Sequence, residues 1–214
     1  MGFPHVGVPP ATRTSVAFVD VGYLKNQGRR TLKLADDPAL DAKALWQWAM
    51  HAWTPSPTRF LRAYLYDGAF DPSHPDFRAQ RDEFNALARQ PYTRLRLGHV
   101  VVRGPIGTPT GLQQKGVDTF LVLDLLRMAQ TGTYDVALLV AGDRDFVEAI
   151  RVVQDELARE VILWTPTGAH VHEELIHVAD HWGEIEVPFL QRILPPAGQA
   201  ASPAPQGGAL GSPQ

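Results

Sequence analysis

Short apolar runs alternate with helically spaced stretches through most of this chain, and that alternation limits the available folds more than any other feature. Ser15–Asp20 (SVAFVD), Phe60–Tyr66 (FLRAYLY), Arg94–Arg103 (RLRLGHVVVR), Val136–Ala141 (VALLVA) and Val161–Trp164 (VILW) predict strands, the third bent at Gly98. Helical spacing predicts helices over Leu40–Ala52, with Trp46 and Trp48, and over Pro75–Arg89, where Pro75 suits a first turn. It predicts three more over Val117–Ala129, Asp145–Leu157 and, briefly, Val171–Val178. Strands separated by helices make a mainly parallel sheet, here of about five strands, covered on both faces: an α/β class, three-layer α/β/α fold. A length of 214 residues is enough for one such domain and too short for two comfortable ones.

The ends differ from the middle. Residues 1–14 look like a loose arm, 15–192 the domain, and 193–214 a tail. The last 20 residues hold five Pro, four Gly and no charged side chain, so they have little apolar surface with which to offset ordering entropy. The chain has no cysteine, which excludes disulfides, thiolate metal sites and cysteine nucleophiles and fits a reducing, cytoplasmic setting. No apolar run approaches a membrane span, and the N-terminus lacks the basic-then-apolar order of a signal peptide.

The net charge of -3 argues against a broadly basic surface, but its distribution is uneven. Residues 78–115 carry seven basic side chains (Arg78, Arg81, Arg89, Arg94, Arg96, Arg103, Lys115) against two acidic ones. Residues 116–192 carry five basic and fourteen acidic. Such a pattern suits solvated helix faces, and equally a phosphate-contacting strip beside an acidic site. Gly28-Arg29-Arg30, with Lys25 and Lys33, follows the first strand; on a surface loop these cations would also meet a phosphate backbone.

In parallel α/β sheets, ligands bind beyond the carboxyl ends of the strands. The first predicted strand ends in Asp20, and the fourth runs into Gly142-Asp143-Arg144-Asp145-Phe146. Asp118 stands at a helix start in Lys115-Gly116-Val117-Asp118, and Asp124 lies six residues further on. Each has a structural reading. Asp143 or Asp145 would cap a helix, Asp118 would answer a helix dipole, and Asp124 would pair with Arg127. Asp20 is harder to assign so, because an acid at the edge of a buried sheet is costly without a partner. Three carboxylates about 4 Å apart would repel by roughly 12 kcal/mol in total at an effective dielectric near 20. Retained protons or a divalent cation must then offset that, and hard oxygen ligands suit Mg2+ or Mn2+.

The strings VAFVDVGYL, KGVDTFLVLDLLRMAQTGTYDVALLVAGDRDFVEAIRVV, VILWTP and ELIHVADHWGEIE together resemble the NYN domain, LabA-like branch, of the PIN-like nuclease superfamily over about residues 15–187. The resemblance implies a Rossmann-like α/β/α fold and a Mg2+- or Mn2+-dependent nuclease acting on RNA, leaving 5′-phosphate and 3′-hydroxyl ends. It implies catalytic and metal-binding roles for Asp20, Asp118, Asp143 and Asp145, and matches Asp124 to a frequent acid of its helix. Many members carry Asn three residues after the first Asp, where this chain has Tyr23. Tyrosine cannot copy the paired donor and acceptor of an amide. It would stack on a base or pack on the first helix.

Other candidates are weaker. His170, His172, His177 and His181 cluster without an HExxH pattern, so zinc is not expected. Trp46, Trp48 and Trp53 suit core and rim positions. Gly104–Gly111 lacks the Walker pattern and reads as a loop near the acids, one able to gate them; no Gly-x-Ser-x-Gly is present. Two function classes follow. One is a divalent-metal endoribonuclease. The other is an RNA-binding or regulatory module with weak or no chemistry. In either, Lys25, Arg29, Arg30, Arg94, Arg96, Arg103, Lys115 and Arg144 are the expected contacts to RNA, single-stranded by preference. A homodimer stays open, and the sequence names no protein partner.

Overall fold

The computed structural model describes residues 12–102 and 112–196. The arm up to residue 11, Arg103, the Gly104–Gly111 loop and the tail from residue 197 lie outside the described residues. Seven strands form one sheet: β1 (Arg13–Asp20), β2 (Thr58–Ala69), β3 (Thr93–Val102), β4 (Leu112–Lys115), β5 (Val136–Val140), β6 (Glu160–Pro166) and β7 (His181–Ile185). Their order is β4-β3-β2-β1-β5-β6-β7. Six run parallel; β4 pairs antiparallel with β3 at the edge. The sheet therefore exceeds the expected size by β4 and β7, both short edge strands.

Side chains alternate strictly across this sheet, as a strand period of two requires. Ala17, Val19, Leu138 and Val140 enter one core cluster, while Val16, Phe18, Ala137 and Leu139 enter the other. The first is closed by helices α1 (Val21–Leu32), α2 (Ala42–His51), α3 (Phe77–Ala88) and α7 (Val187–Ile193). The second is closed by α4 (Val117–Gln130), α5 (Val147–Arg151) and α6 (Glu173–Val178). All five residues of β5 are buried, which is why VALLV is apolar on both faces.

Local chemistry sets the helix starts. Asp20 closes β1 and caps α1, its carboxylate accepting from the Tyr23 N–H at 2.9 Å; Asp41 caps α2 likewise through Ala44. Gly116 precedes α4 with φ +82°, a conformation that favours glycine. The stretch expected as one helix from Asp145 is a 3-10 turn (Arg144–Phe146), then α5, then a wider π turn (Val152–Glu156).

Three expectations from the sequence are overturned. Residues 28–30 form no surface loop: they lie within α1, and Gly28 is buried where a Cβ would overlap Leu194. The composition-based tail begins too early, since Ile193 and Leu194 are buried and the Ile193 and Pro195 carbonyls accept from Asp41 and Ala39 N–H. The arm ends too late, because Arg13 and Thr14 already belong to β1 and the Thr14 N–H donates to Asp135.

Candidate acidic site at the carboxyl edge of the sheet

The central strand β1 lies between β2 and β5, with Val19 opposite Val140 and Asp20 opposite Tyr66. That register sets side by side Asp20 at the end of β1, Asp67 within β2 one residue beyond Tyr66, and the Gly142-Asp143 turn just after β5. Asp20 is buried, and its carboxyl is pushed up to about 7. Burial is the main cause, and the charges of Asp118, Asp143 and Asp67 add to it, while the Tyr23 N–H pulls the other way. Asp118, in the first turn of α4, is also raised, by lost hydration and then by Asp143 and Asp145. Asp20, Asp118, Asp143 and Asp145 thus belong to one field of like charge.

The structural readings of these acids fare differently. Asp143 holds the N-cap position of the 3-10 turn, yet its side chain makes no capping hydrogen bond. Asp143 and Asp145 are exposed. Asp118 does not cap α4, since the cap position belongs to Gly116, but it lies in the first turn, where a carboxylate answers the helix dipole. Asp124 is the exception. It is buried, and Arg96 donates to both its oxygens (Nε to Oδ2 at 2.8 Å, Nη2 to Oδ1 at 2.7 Å), with the Tyr66 hydroxyl also on Oδ2 at 3.1 Å. Its partner is Arg96 on β3, not Arg127.

Asp67 was missed by sequence reasoning. It is buried, and one oxygen accepts from the Gly68 N–H at 2.8 Å. The signal was available, for FLRAYLYDG follows an apolar run with an acid and a glycine, as VALLVAGD does.

Tyr23 packs against the core cluster that includes Val21 and Leu24 of α1, and it makes further contacts. It sits in the first turn of α1, its ring lies on Gly142, and its hydroxyl donates to the His170 carbonyl at 3.1 Å. The histidines do other work. The His172 ring accepts from the Glu174 N–H at the start of α6, His177 lies beside Glu173, and His181 meets Trp53 edge to face. Among the described residues, no three His, Asp or Glu side chains stand close enough to enclose an ion.

The expected cationic strip is divided. Arg94 and Arg96 lie beside Tyr64 and Tyr66, on the sheet face covered by α4, whereas Arg78 and Arg81 ride on α3 over the opposite face. Several cations already have partners: Lys25 with Glu83, Arg29 with Asp37, Arg96 with Asp124 and Arg144 with Glu174. Arg30 and Arg94 are exposed. Arg144 and Arg151 also line an open groove of about 500 Å³ beside the acid turn, together with Asp145, Glu148 and Glu174.

A mainly parallel α/β/α domain of this kind has the architecture of a PIN-like nuclease fold. Residues 15–186 match the NYN domain family, and the chain belongs to that family, which falls within the PIN-like superfamily. No curated protein matches the sequence. Among solved structures it is similar to a protein of unknown function from Vibrio parahaemolyticus RIMD 2210633. That likeness has a TM-score of 0.54 at 18% identity and covers 84% of this chain and 96% of that one, which speaks to the fold alone. NYN domains are nuclease-like, and NYN nucleases act on RNA. No helix among the described residues is long and apolar enough to cross a membrane.

Proposed function

We propose that this protein is a divalent-metal-dependent endoribonuclease of the LabA-like branch, acting on single-stranded RNA in the cytoplasm. The observation that carries the reading is that Asp20, Asp118 and Asp143, on three separate elements, act on one another's charge at the edge where parallel sheets bind ligands. Their chemistry fits Mg2+ or Mn2+: the donors are all carboxylate oxygens, and among the described residues the charges acting on Asp20 and Asp118 are all negative. Asp20, Asp118 and Asp143 would hold the ion, with Asp145 as a further ligand or orienting group. A divalent ion there would supply Lewis acidity toward a phosphodiester and make water more acidic.

The chain's own contribution is positional. Asp20 is fixed by its cap bond to Tyr23, and Asp118 by its place in the first turn of α4. Asp143 leads a turn whose Gly142 carbonyl is anchored by the His172 N–H at 3.0 Å. Arg30, Arg94 and Arg144 are the cations best exposed to meet phosphates.

The test is cleavage of single-stranded RNA by purified protein with Mg2+ or Mn2+, with chelator, and with Asp143→Asn. Asparagine keeps the shape and removes the charge, so activity should fall about a thousandfold, several kcal/mol of transition-state stabilisation, with the fold intact. Full activity in chelator or in the variant would sink the proposal. One observation favours the second reading, an RNA-binding module without chemistry: the described carboxylates are not already closed into an ion cage. That module would bind RNA in a salt-dependent way and leave it uncut in Mn2+.

A further inference from the structure

Tyr23 belongs to a stripe. Tyr23, Gln27 and Thr31 follow one another at spacings of four along α1, the spacing that stacks side chains on one helix face. All three bond the backbone of a single segment, the connection from β6 to α6. The Thr31 hydroxyl donates to the Thr167 carbonyl at 2.8 Å, the Gln27 side-chain oxygen accepts from the His170 N–H at 3.2 Å, and the Tyr23 hydroxyl donates to the His170 carbonyl at 3.1 Å. Two residues on, the His172 N–H donates to the Gly142 carbonyl at 3.0 Å. The connection is therefore held by α1 on one side and grips the acid turn on the other.

Tyr23 also touches that turn directly. Its ring occupies the space that a side chain at residue 142 would need, and a Cβ there would overlap the ring edge. Gly142 adopts no left-handed backbone angle, so what requires glycine is the close approach of Tyr23 and not the turn itself. The same residue supplies the N–H that caps onto Asp20. One tyrosine thus meets the first acid through its backbone, the turn bearing Asp143 through its ring, and the connection anchoring that turn through its hydroxyl.

We propose that Tyr23 is a positioning residue that fixes the Gly142–Asp143 turn relative to Asp20, with the Tyr23-Gln27-Thr31 stripe holding the 167–172 connection in support. Its catalytic consequence rests on the nuclease reading above; its geometric consequence does not. Residue 23 acts through residue 142, so the two positions are coupled.

The experiment compares full-length wild type with Tyr23→Phe, Gly142→Ala, Tyr23→Asn and the double variant Tyr23→Asn with Gly142→Ala. Two readouts are taken: hydrogen exchange at the amides of His172 and residues 143–145, and Mn2+-dependent cleavage of a single-stranded RNA. Tyr23→Phe keeps the ring and loses the hydroxyl, so exchange at His172 should quicken about five- to tenfold. In the same variant kcat should fall about tenfold with KM for RNA unchanged, because a displaced carboxylate affects the reacting geometry more than binding. Gly142→Ala should quicken exchange in the turn with Tyr23 present and be nearly silent in the Tyr23→Asn background, where the ring is gone. Wild-type exchange in Tyr23→Phe, or an equal effect of Gly142→Ala in both backgrounds, overturns the proposal even if the enzyme cleaves RNA. Exchange changing as expected in a protein that never cleaves RNA overturns the nuclease reading and upholds the positioning of the turn.

Discussion

Asp20 and Asp124 are nearly equally withdrawn from water, at 7% and 3% exposure, and their surroundings are opposite in kind. Asp124 is held by the Arg96 guanidinium fork and the Tyr66 hydroxyl, so its charge is answered and its geometry closed. Among the described residues Asp20 has one backbone N–H and three carboxylates acting on it, and its proton is held up to about 7. Both acids sit on strongly apolar elements. What separates a structural acid from a site acid here is the sign of the nearest charge and not the depth of burial. A fold keeps an uncompensated buried carboxylate only against its own stability, and such groups concentrate where chemistry is done.

The largest test of that contrast is a gain of stability. In the unfolded chain Asp20 ionises near the ordinary carboxylate value, while in the folded protein it keeps its proton to about 7. Between pH 4 and 7 the folded state binds more protons, so stability falls as pH rises, and the full penalty is present above pH 7. Asp20→Asn keeps the cap and removes the charge. It should stabilise the metal-free protein at pH 8 by an amount on the order of 4 kcal/mol, and have almost no effect near pH 4. Denaturant melts at the two pH values measure this. No gain at pH 8 would place Asp20 in the same class as Asp124.

The opposite acid should behave oppositely. Asp124→Ala strands the Tyr66 hydroxyl and half-exposed Arg96, and should cost about 2–3 kcal/mol. Adding Arg96→Met should recover part of that loss, which a double-mutant cycle reads directly. Folded Asp124→Ala should still cleave RNA at close to the wild-type rate below its melting range. A thousandfold loss there would move Asp124 back into the active site.

A smaller effect probes the helix that sequence reasoning did not see. Gly28 lets Leu194 lie against α1, so Gly28→Ala should destabilise by about 1–2 kcal/mol despite alanine's better helix propensity. A stabilised variant in a thermal melt would mean that α7 packs elsewhere.

The fold was legible where periodicity was strong. β1, β2, β3, β5, β6 and α4 fall within a few residues of expectation, because each carries an unbroken apolar face. Helix α1 was not legible. Its buried face is only Val21, Leu24 and Gly28, and the aspartate that caps it looked like a site acid. Asp20 is both. Edge elements β4, β7 and α7 were lost because four to seven residues give too little periodicity to register. At the site, acids that follow apolar runs could be found from sequence, and Asp67 obeyed the same rule unnoticed. The Arg96 partner of Asp124 could not be found, since it lies 28 residues away on another element. Nor could the Tyr23–Gly142 contact, which joins residues from opposite halves of the chain.

The claim that Asp20 is an uncompensated acid awaiting a cation is most directly tested by following its side-chain carboxyl carbon by NMR through a pH titration, without and with Mg2+. The account predicts a midpoint near 7 in the metal-free protein. It also predicts a midpoint displaced well downward by Mg2+, because a bound cation favours the ionised form. A midpoint near 4 that does not respond to Mg2+ would contradict it.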